Sequence, residues 1–312
     1  MGLFTPIRSR FKSILMSIQD DFKFSKLDLG WAKTLFAYLF NVEALYRLAP
    51  GVFTLPESCS LAIVGDWGTG TESAENVLSQ IRTYKPDYFM HLGDIYYSGT
   101  KNEVDRRFLQ PLLMEIPETK WFTLMGNHDA YSGGTGYYYA TDMIGQHSCH
   151  FTLGNKFIQL IGMNTGWSDR FNKGPVHLHP EEALWVKNLL NRKTILLSHH
   201  QPFSGFQDVN NIVANQLGNL DCVAAWFTGH EHRLAVYHDY MGIKRMRTVG
   251  AGGVPELLRE NYFVSKIPCE PITYGNDGIR YYHSFAIMDI NKANVTVRYF
   301  DENNHILFAE TF

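Results

Sequence analysis

Five short stretches of this sequence place a candidate metal-binding side chain directly after an apolar run. The stretches are Gly65-Asp66-Trp67-Gly68, Gly93-Asp94-Ile95-Tyr96-Tyr97, Gly126-Asn127-His128-Asp129, Ser198-His199-His200-Gln201-Pro202 and Gly229-His230-Glu231-His232. Carboxylate, carboxamide and imidazole groups suit hard to borderline ions such as iron, manganese and zinc. Two ions about 3.5–4 Å apart need a shared ligand, and a carboxylate is suited to that role. These residue types therefore predict a dinuclear metal centre of the kind found in metallohydrolases.

Each stretch has an ordinary explanation when it is taken alone. Asp66 could simply cap a helix that begins near Thr71, and Gly93-Asp94 could form a turn. The metal centre is predicted from the repetition of the pattern, because several predicted strands end in glycine followed by a potential ligand. In α/β folds such strand ends meet at one edge of a sheet, where ligands bind. A glycine beside each ligand would let the backbone approach the ions closely.

The elements that position these stretches alternate between strands and helices. Short β-type runs are predicted at 61–64, 88–92, 121–124, 157–161, 194–198, 222–228, 233–239 and 243–249. Helices are predicted at 72–84, 101–115 and 180–191, and strands alone follow at 281–289, 294–300 and 305–310. This alternation predicts an α/β layered domain.

The order of motifs GDxG, GDxxY, GNHD, HxP and GHxH, between residues 65 and 232, resembles the calcineurin-like metallophosphoesterases. Among these it is most similar to the purple acid phosphatase branch. The resemblance implies a two-sheet αββα sandwich with the metals at the strand ends. It also implies hydrolysis of phosphate esters.

The same resemblance implies a ligand set. Asp66, Tyr97 and His232 would hold one ion, Asp94 would bridge, and Asn127, His230 and either His199 or His200 would hold the other. Many relatives carry a histidine where this chain has Gly68, and the purple branch instead uses a tyrosinate three residues after the bridging aspartate. That position is Tyr97 and not Tyr96. Because a phenolate favours a trivalent ion, the implied cofactor is Fe(III) paired with divalent iron, zinc or manganese. The alternative for Tyr97 is an ordinary core aromatic.

Two histidines compete for one ligand position. The family's His-x-Pro spacing selects His200, because Pro202 stands two residues later. Relatives with His-His-Pro-Pro use the first histidine, which would select His199. We favour His200 and keep both, with the other histidine lining the site.

The resemblance further implies that a metal-bound hydroxide attacks the phosphoryl group. His128 would stabilise the transition state or protonate the leaving alcohol, and Asp129 would orient its ring. For both residues the alternative is a structural hydrogen bond. We expect phosphate monoesters as substrates. The alternatives are a phosphodiesterase acting on cyclic nucleotides or lipid head groups, and a non-catalytic scaffold that binds a partner.

Residues 1–56 differ in pattern from the catalytic domain expected at 57–312. Apolar residues recur at helical spacing, which predicts a helical extension that packs on the body. The alternative is contact of residues 1–50 with a membrane surface, because Arg8, Arg10 and Lys12 accompany the apolar positions. The glycine- and tyrosine-rich stretch 129–139 is expected to be either a mobile wall of the site or a packed surface loop.

Composition limits the partners. The 312 residues include 28 Lys and Arg against 31 Asp and Glu, so the net charge of −3 gives no basic surface for nucleic acid. A phosphorylated small molecule is the expected partner, and the sequence leaves the oligomeric state open. Four scattered cysteines, no signal-peptide pattern and no transmembrane run favour a cytoplasmic location.

Overall fold

A computed structural model describes most of the chain. The described residues are 43–169, 174–210, 212–258 and 272–312, together with Thr34, Phe36, Ala37, Leu39 and Phe40. The predicted extension therefore lies largely outside the described residues. Its few described members before residue 43 are helical. Within the described part of the chain, no helix has the length and apolar character needed to cross a membrane.

The described strands form two sheets. The larger has eight strands in the order β1-β5-β6-β7-β8-β10-β9-β11, and the smaller has six in the order β14-β13-β12-β2-β3-β4. The strands are β1 (Gly51–Thr54), β2 (Ser58–Val64), β3 (Tyr88–His91), β4 (Lys120–Thr123), β5 (Phe151–Gly154), β6 (Gln159–Gly162), β7 (Thr194–Ser198), β8 (Val223–Thr228), β9 (Leu234–Val236), β10 (Met246–Val249), β11 (Ile272–Tyr274), β12 (Ser284–Asn291), β13 (Asn294–Asp301) and β14 (Ile306–Thr311).

Helices lie on the outer faces of both sheets. The α-helices are α1 (Glu72–Tyr84), α2 (Lys101–Val104), α3 (Gln110–Glu115), α4 (Asn127–Tyr131), α5 (Thr135–Met143), α6 (Pro180–Leu189) and α7 (Ile212–Leu217). A π-helical turn at Asp105–Leu109 joins α2 to α3, and a 3-10 turn covers Gly166–Ser168. Helix α1 begins after Thr71, whose hydroxyl accepts a hydrogen bond from the amide of Ala74.

The core explains why this arrangement is stable. A cluster between the sheets packs Ile63 and Met90 of the smaller sheet with Leu197 and Phe227 of the larger one. Separate clusters join each sheet to its own helices. Because the central strands are covered on both faces, they read in the sequence as continuous apolar runs. The predicted two-sheet αββα sandwich is confirmed.

Strand direction sets the position of the candidate site. Strands β2, β3 and β4 are mutually parallel, and so are β6, β7 and β8. The loops that follow β2, β3 and β4 therefore leave the smaller sheet at one edge, and those after β7 and β8 leave the larger sheet together. These five loops are the five motif stretches.

Two predictions about local structure differ from the fold. Residues 51–54 were assigned to the extension but form strand β1, which pairs in parallel with β5 in the larger sheet. The stretch 129–139 is not a loop throughout, because it includes the end of α4 and the start of α5. Gly133 and Gly134 take positive φ between the two helices, and Tyr137 and Tyr138 are buried. Burial of these aromatic rings favours the packed alternative of the two that the sequence left open.

Candidate metal centre

The candidate ligands converge from both sheets because glycine removes the intervening side chains. A Cβ atom on Gly126 would lie 2.0 Å from Oδ1 of Asp94, and one on Gly229 would lie 2.9 Å from Oδ2 of Asp66. Neither position has room for a larger residue. Gly126 lets the loops after β3 and β4 of the smaller sheet approach closely, and Gly229 does the same for the loop after β8 of the larger sheet and the loop after β2.

Three of the candidate ligands occupy the left-handed region of backbone conformation. Their φ angles are +56° at Asp66, +72° at Asp94 and +66° at His230. Such conformations cost residues with a side chain about 1–3 kcal/mol each and cluster at functional sites. The three residues stand shortly after the ends of β2, β3 and β8, where the motif loops meet.

One half of the cluster contains Asp66, Asp94, Tyr96 and His232. The Tyr96 hydroxyl lies 2.9 Å from Oδ1 of Asp66, 3.2 Å from Oδ2 of Asp94 and 3.1 Å from Nε2 of His232. His232 Nε2 is also 3.4 Å from Oδ1 of Asp66. Burial opposes the charge on Asp66, but its hydrogen bond to His232 and the nearby histidines hold the pKa of this carboxyl below its ordinary value.

The other half contains Asn127, His199 and His230. Oδ1 of Asn127 lies 3.0 Å from Nε2 of His199 and 3.1 Å from Nδ1 of His230. The two imidazole nitrogens are 3.3 Å apart. Asp94 joins the halves, since its Oδ2 is also 3.4 Å from Nε2 of His199. Asp94 therefore stands where the predicted bridging carboxylate should be.

The donor set fits metal ions. Nδ1 of His199 is 2.9 Å from the carbonyl of Leu92, so Nδ1 carries the proton of the neutral ring and Nε2 presents a lone pair. The amide nitrogen of Asn127 donates to the hydroxyl of Tyr131, which turns Oδ1 of Asn127 toward that same lone pair. Two acceptors at 3.0 Å repel each other unless a positive charge stabilises both. Burial lowers the pKa of His199, but Asp94 and Asp66 raise it above its ordinary value, so a proton on Nε2 can supply this positive charge and a bound metal ion would replace that proton.

The geometry separates the two adjacent histidines. His199 is fully buried and contacts Asn127 and Asp94, whereas His200, which also offers a ring nitrogen within 4.8 Å of nitrogens of His199 and His230, is held by other groups. The ring nitrogens of His200 lie 3.1 Å from the hydroxyl of Thr165 and 3.0 Å from Oδ2 of Asp169. The contacts of His199 with Asn127 and Asp94 favour His199 over His200 as the ligand, and the choice between them stays a prediction. Motif spacing could not separate them, because the turn after β7 decides which ring faces the ions. His200 lines the site beside His230, their ring centroids 4.5 Å apart.

The adjacent tyrosines also differ from the prediction. The phenol among the carboxylates belongs to Tyr96, the residue that the motif spacing rejected. The ring of Tyr97 instead packs edge-on against His128, with 5.5 Å between ring centroids. Counting three residues from Asp94 selects Tyr97 only if the loop follows the family's usual path.

His128 lies beside the ligands but is held by a different group from the one expected. Its Nδ1 donates to the carbonyl oxygen of Tyr97 at 2.8 Å, and its amide donates to Oδ1 of Asp94. Asp129 does not orient the ring of His128, contrary to the prediction. Its carboxylate accepts hydrogen bonds from the amides of Asp94, Ile95 and Gly126. Asp129 therefore ties together the loops that carry Asp94 and Asn127.

Sequence reasoning missed two supporting residues. Glu103, which is almost fully buried, accepts hydrogen bonds from the amides of Tyr97, Ser98 and Thr100 and so shapes the loop after Asp94. The sequence contains a pattern that could have identified Glu103: Thr100 followed three residues later by Glu103 is a capping box, and it forms at the start of α2. Tyr131, which orients Asn127, stands four residues later, one helical turn along α4.

The match to a known protein family covers the segment that contains the five motif stretches. Residues 60–234, more than half of the chain, match the calcineurin-like phosphoesterase family. The protein therefore belongs to that family, as the five motifs predicted. No curated protein matches the sequence.

Two solved structures share the fold. A purple acid phosphatase, PPD1, from yellow lupin (Lupinus luteus) seeds superposes with a TM-score of 0.63 at 14% identity, covering 86% of this chain and 55% of the lupin chain. This protein thus spans about half the length of that enzyme. GAP50 of Plasmodium, described as the anchor in the inner membrane complex, has a TM-score of 0.58 at 16% identity and covers 82% of this chain and 88% of its own.

Proposed function

We propose that this protein is a dinuclear metallophosphatase that hydrolyses phosphate monoesters. The observation that carries the proposal is the convergence of ligands from both sheets around Asp94. Members of the family hydrolyse phosphate esters, and the lupin protein that shares the fold is an acid phosphatase. The full set of candidate ligands supports catalysis more than a scaffold role, because degenerate members of such families lose ligands.

Bound metal ions would lower the pKa of a water molecule and stabilise negative charge on the phosphoryl group. Asp66, Asp94 and His232 would hold one ion, and Asp94, Asn127, His199 and His230 the other. We propose Fe(III) for the first position and divalent iron, zinc or manganese for the second, since a phenol contacts the first set of ligands.

His128 has the geometry of a general acid. The carbonyl of Tyr97 can only accept a hydrogen bond, so Nδ1 of His128 carries a proton and the ring orientation is fixed. Its Nε2 then remains for the substrate. In the protonated ring this atom would stabilise charge on the phosphoryl oxygens or pass a proton to the departing alcohol.

A polar cleft lies next to the ligands. It is lined by Asp169, His200, Gln201, Asn210 and His230, among others. His200 is held in place by Thr165 and Asp169. We propose that the leaving group occupies this cleft and that His200, whose two ring nitrogens are engaged by these partners, forms part of its wall.

The test is a comparison of p-nitrophenyl phosphate with bis-p-nitrophenyl phosphate at several pH values, after metal quantification. Faster hydrolysis of the monoester is expected. Preference for the diester would make the protein a phosphodiesterase that uses the same site. Purified protein without bound transition metal and without activity after metal addition would favour the scaffold function, which has a parallel in the anchor role described for GAP50.

Membrane contact of residues 1–50 is a separate proposal. The side chains of Phe36, Leu39 and Phe40 in the described helical residues are more than half exposed. Exposed aromatic and aliphatic side chains in a stretch of sequence that also carries Arg8, Arg10 and Lys12 suit an interfacial helix. Flotation with anionic liposomes tests this. The wild type should float, and a variant with Phe36, Leu39 and Phe40 changed to aspartate should not. Equal behaviour of the two proteins would exclude the contact.

A further inference from the structure

The loop after β3 carries two consecutive tyrosines, and only one phenol can take the ligand position of the first ion. Tyr96 is 2% exposed, and its hydroxyl contacts Asp66, Asp94 and His232 together. These three side chains are the proposed ligands of that ion. A phenol oxygen within 3.2 Å of all three lies inside the space that the ligands enclose.

The backbone of Tyr96 is held from outside the cluster. Its amide donates to the carbonyl of Gly68 at 3.0 Å, which links the first and second motif loops. Its carbonyl accepts a hydrogen bond from Nη1 of Arg107 at 2.6 Å. Because both backbone groups are engaged, the direction of the Tyr96 side chain is determined by the fold around it.

The backbone of Tyr97 is held in a different way. Its amide donates to Glu103 and its carbonyl accepts from Nδ1 of His128. Its ring stands at 81° to the ring of His128. The two tyrosines lie in a turn closed by a hydrogen bond from the amide of Gly99 to the carbonyl of Ile95. Their rings are 6.0 Å apart between centroids and 67° apart in plane, so the two phenols do not occupy the same position.

We propose that Tyr96, and not Tyr97, is the phenolate ligand of the ion held by Asp66, Asp94 and His232. Binding exchanges the O–H bond of the phenol for a bond to the ion, and the proton leaves to solvent. The inference rests on the proposed metal centre, and it concerns the iron ligand and not the substrate.

The test uses full-length Tyr96→Phe and Tyr97→Phe proteins, loaded with iron, oxidised and examined by visible absorption and iron analysis. The wild type should show a tyrosinate-to-iron band. Tyr97→Phe should keep the band, and Tyr96→Phe should lose it. Tyr84→Phe is the matched control, because the Tyr84 hydroxyl donates to Oδ1 of Asn304, outside the ligand cluster, and its loss should leave the band unchanged.

Three results would overturn the assignment: loss of the band in Tyr97→Phe, its survival in Tyr96→Phe, or a wild type that binds iron without colour. If Tyr96→Phe does not fold, the Tyr97→Phe protein provides the test by itself. A band retained in Tyr97→Phe excludes Tyr97 as the ligand, and a band lost in Tyr97→Phe overturns the proposal. Hydrolysis of p-nitrophenyl phosphate by the same wild-type sample separates the two proposals. A coloured but inactive protein contradicts the phosphatase function only, and an active, colourless iron-loaded protein contradicts the tyrosine assignment only.

Discussion

Two groups of side chains invite comparison: the candidate metal ligands (Asp66, Asp94, Asn127, His199, His230 and His232) and the cluster around Glu182. Both are largely buried, and both combine carboxyl and imidazole groups. Around Glu182 each acceptor faces a donor: Oε2 accepts from the hydroxyl of Tyr46, and Oε1 accepts from the amide of Asn164. At the strand ends, in contrast, Oδ1 of Asn127 faces the lone pair of His199. The first arrangement is complete as it stands, whereas the second requires positive charge between its acceptors, from a proton on His199 or from a metal ion.

This difference shows that burial of polar groups does not by itself identify a functional site. Tyr46 also stacks on His179, with ring centroids 4.5 Å apart, so the Glu182 cluster attaches the segment before β1 to helix α6. We assign it a structural role. The arrangement of donors and acceptors distinguishes the two clusters, and the following substitutions test that distinction.

The largest effect is expected for Asp94→Ala. Asp94 contacts both halves of the ligand cluster, so its loss should release both ions and reduce hydrolysis to background. Metal addition to chelator-treated wild type should raise the Tm, because ions that bind the folded state stabilise it. Metal analysis and thermal unfolding measure this. An Asp94→Ala protein that keeps two ions would contradict the bridging role.

His199→Ala should remove one ion, and His200→Ala should remove none. Without that ion, the transition state of the His199→Ala protein should lose about 5 kcal/mol of charge stabilisation, which lowers the rate by about 10⁴-fold. His200→Ala should raise KM by about 10-fold at most, because His200 lines the cleft while both of its ring nitrogens bond to Thr165 and Asp169. These predictions are checked by measuring the metal content and the steady-state kinetics of both variants. The opposite pattern would return the ligand role to His200.

His128→Ala should keep both ions and lower kcat by about 10²–10⁴-fold, the usual contribution of general acid–base catalysis. The exposed His147 supplies the control, and His147→Ala should retain wild-type kinetics. Loss of metal from His128→Ala would show that this side chain serves the ligands and not the substrate.

The smallest effect concerns stability and belongs to the Glu182 cluster. Burial raises the pKa of Glu182 to about 7 from an ordinary value of 4.5. The folded state therefore favours the protonated acid, and the free energy of unfolding should fall as pH rises from about 4.5 and level off above about 7. The whole change from this group is about 3 kcal/mol.

Glu182→Gln should remove this part of the pH dependence, and Glu181→Gln, at the exposed neighbouring position, should not. Urea unfolding between pH 4 and pH 8 gives the comparison, and metal content should stay at the wild-type level in both variants. Equal pH dependence of Glu182→Gln and wild type would show that Glu182 does not titrate in this range.

Much of the fold could be predicted from local patterns. Helix α1 occupies residues 72–84 as predicted, because Thr71 caps it and its apolar positions follow helical spacing. Strand β7 also has its predicted bounds. Strand β1 was missed because it has only four residues, lies at the edge of a sheet and depends on its partner β5.

The sequence alone determined the family, the αββα class and most of the ligand types, since glycine and ligand residues after apolar strands are local features. It could not determine which member of a doublet faces the ions. A change of one residue at the end of a strand turns a side chain to the other side, and the direction depends on groups distant in sequence. For His199 that group is the carbonyl of Leu92, and for Tyr96 it is the guanidinium of Arg107. Only the tertiary structure brings these groups together.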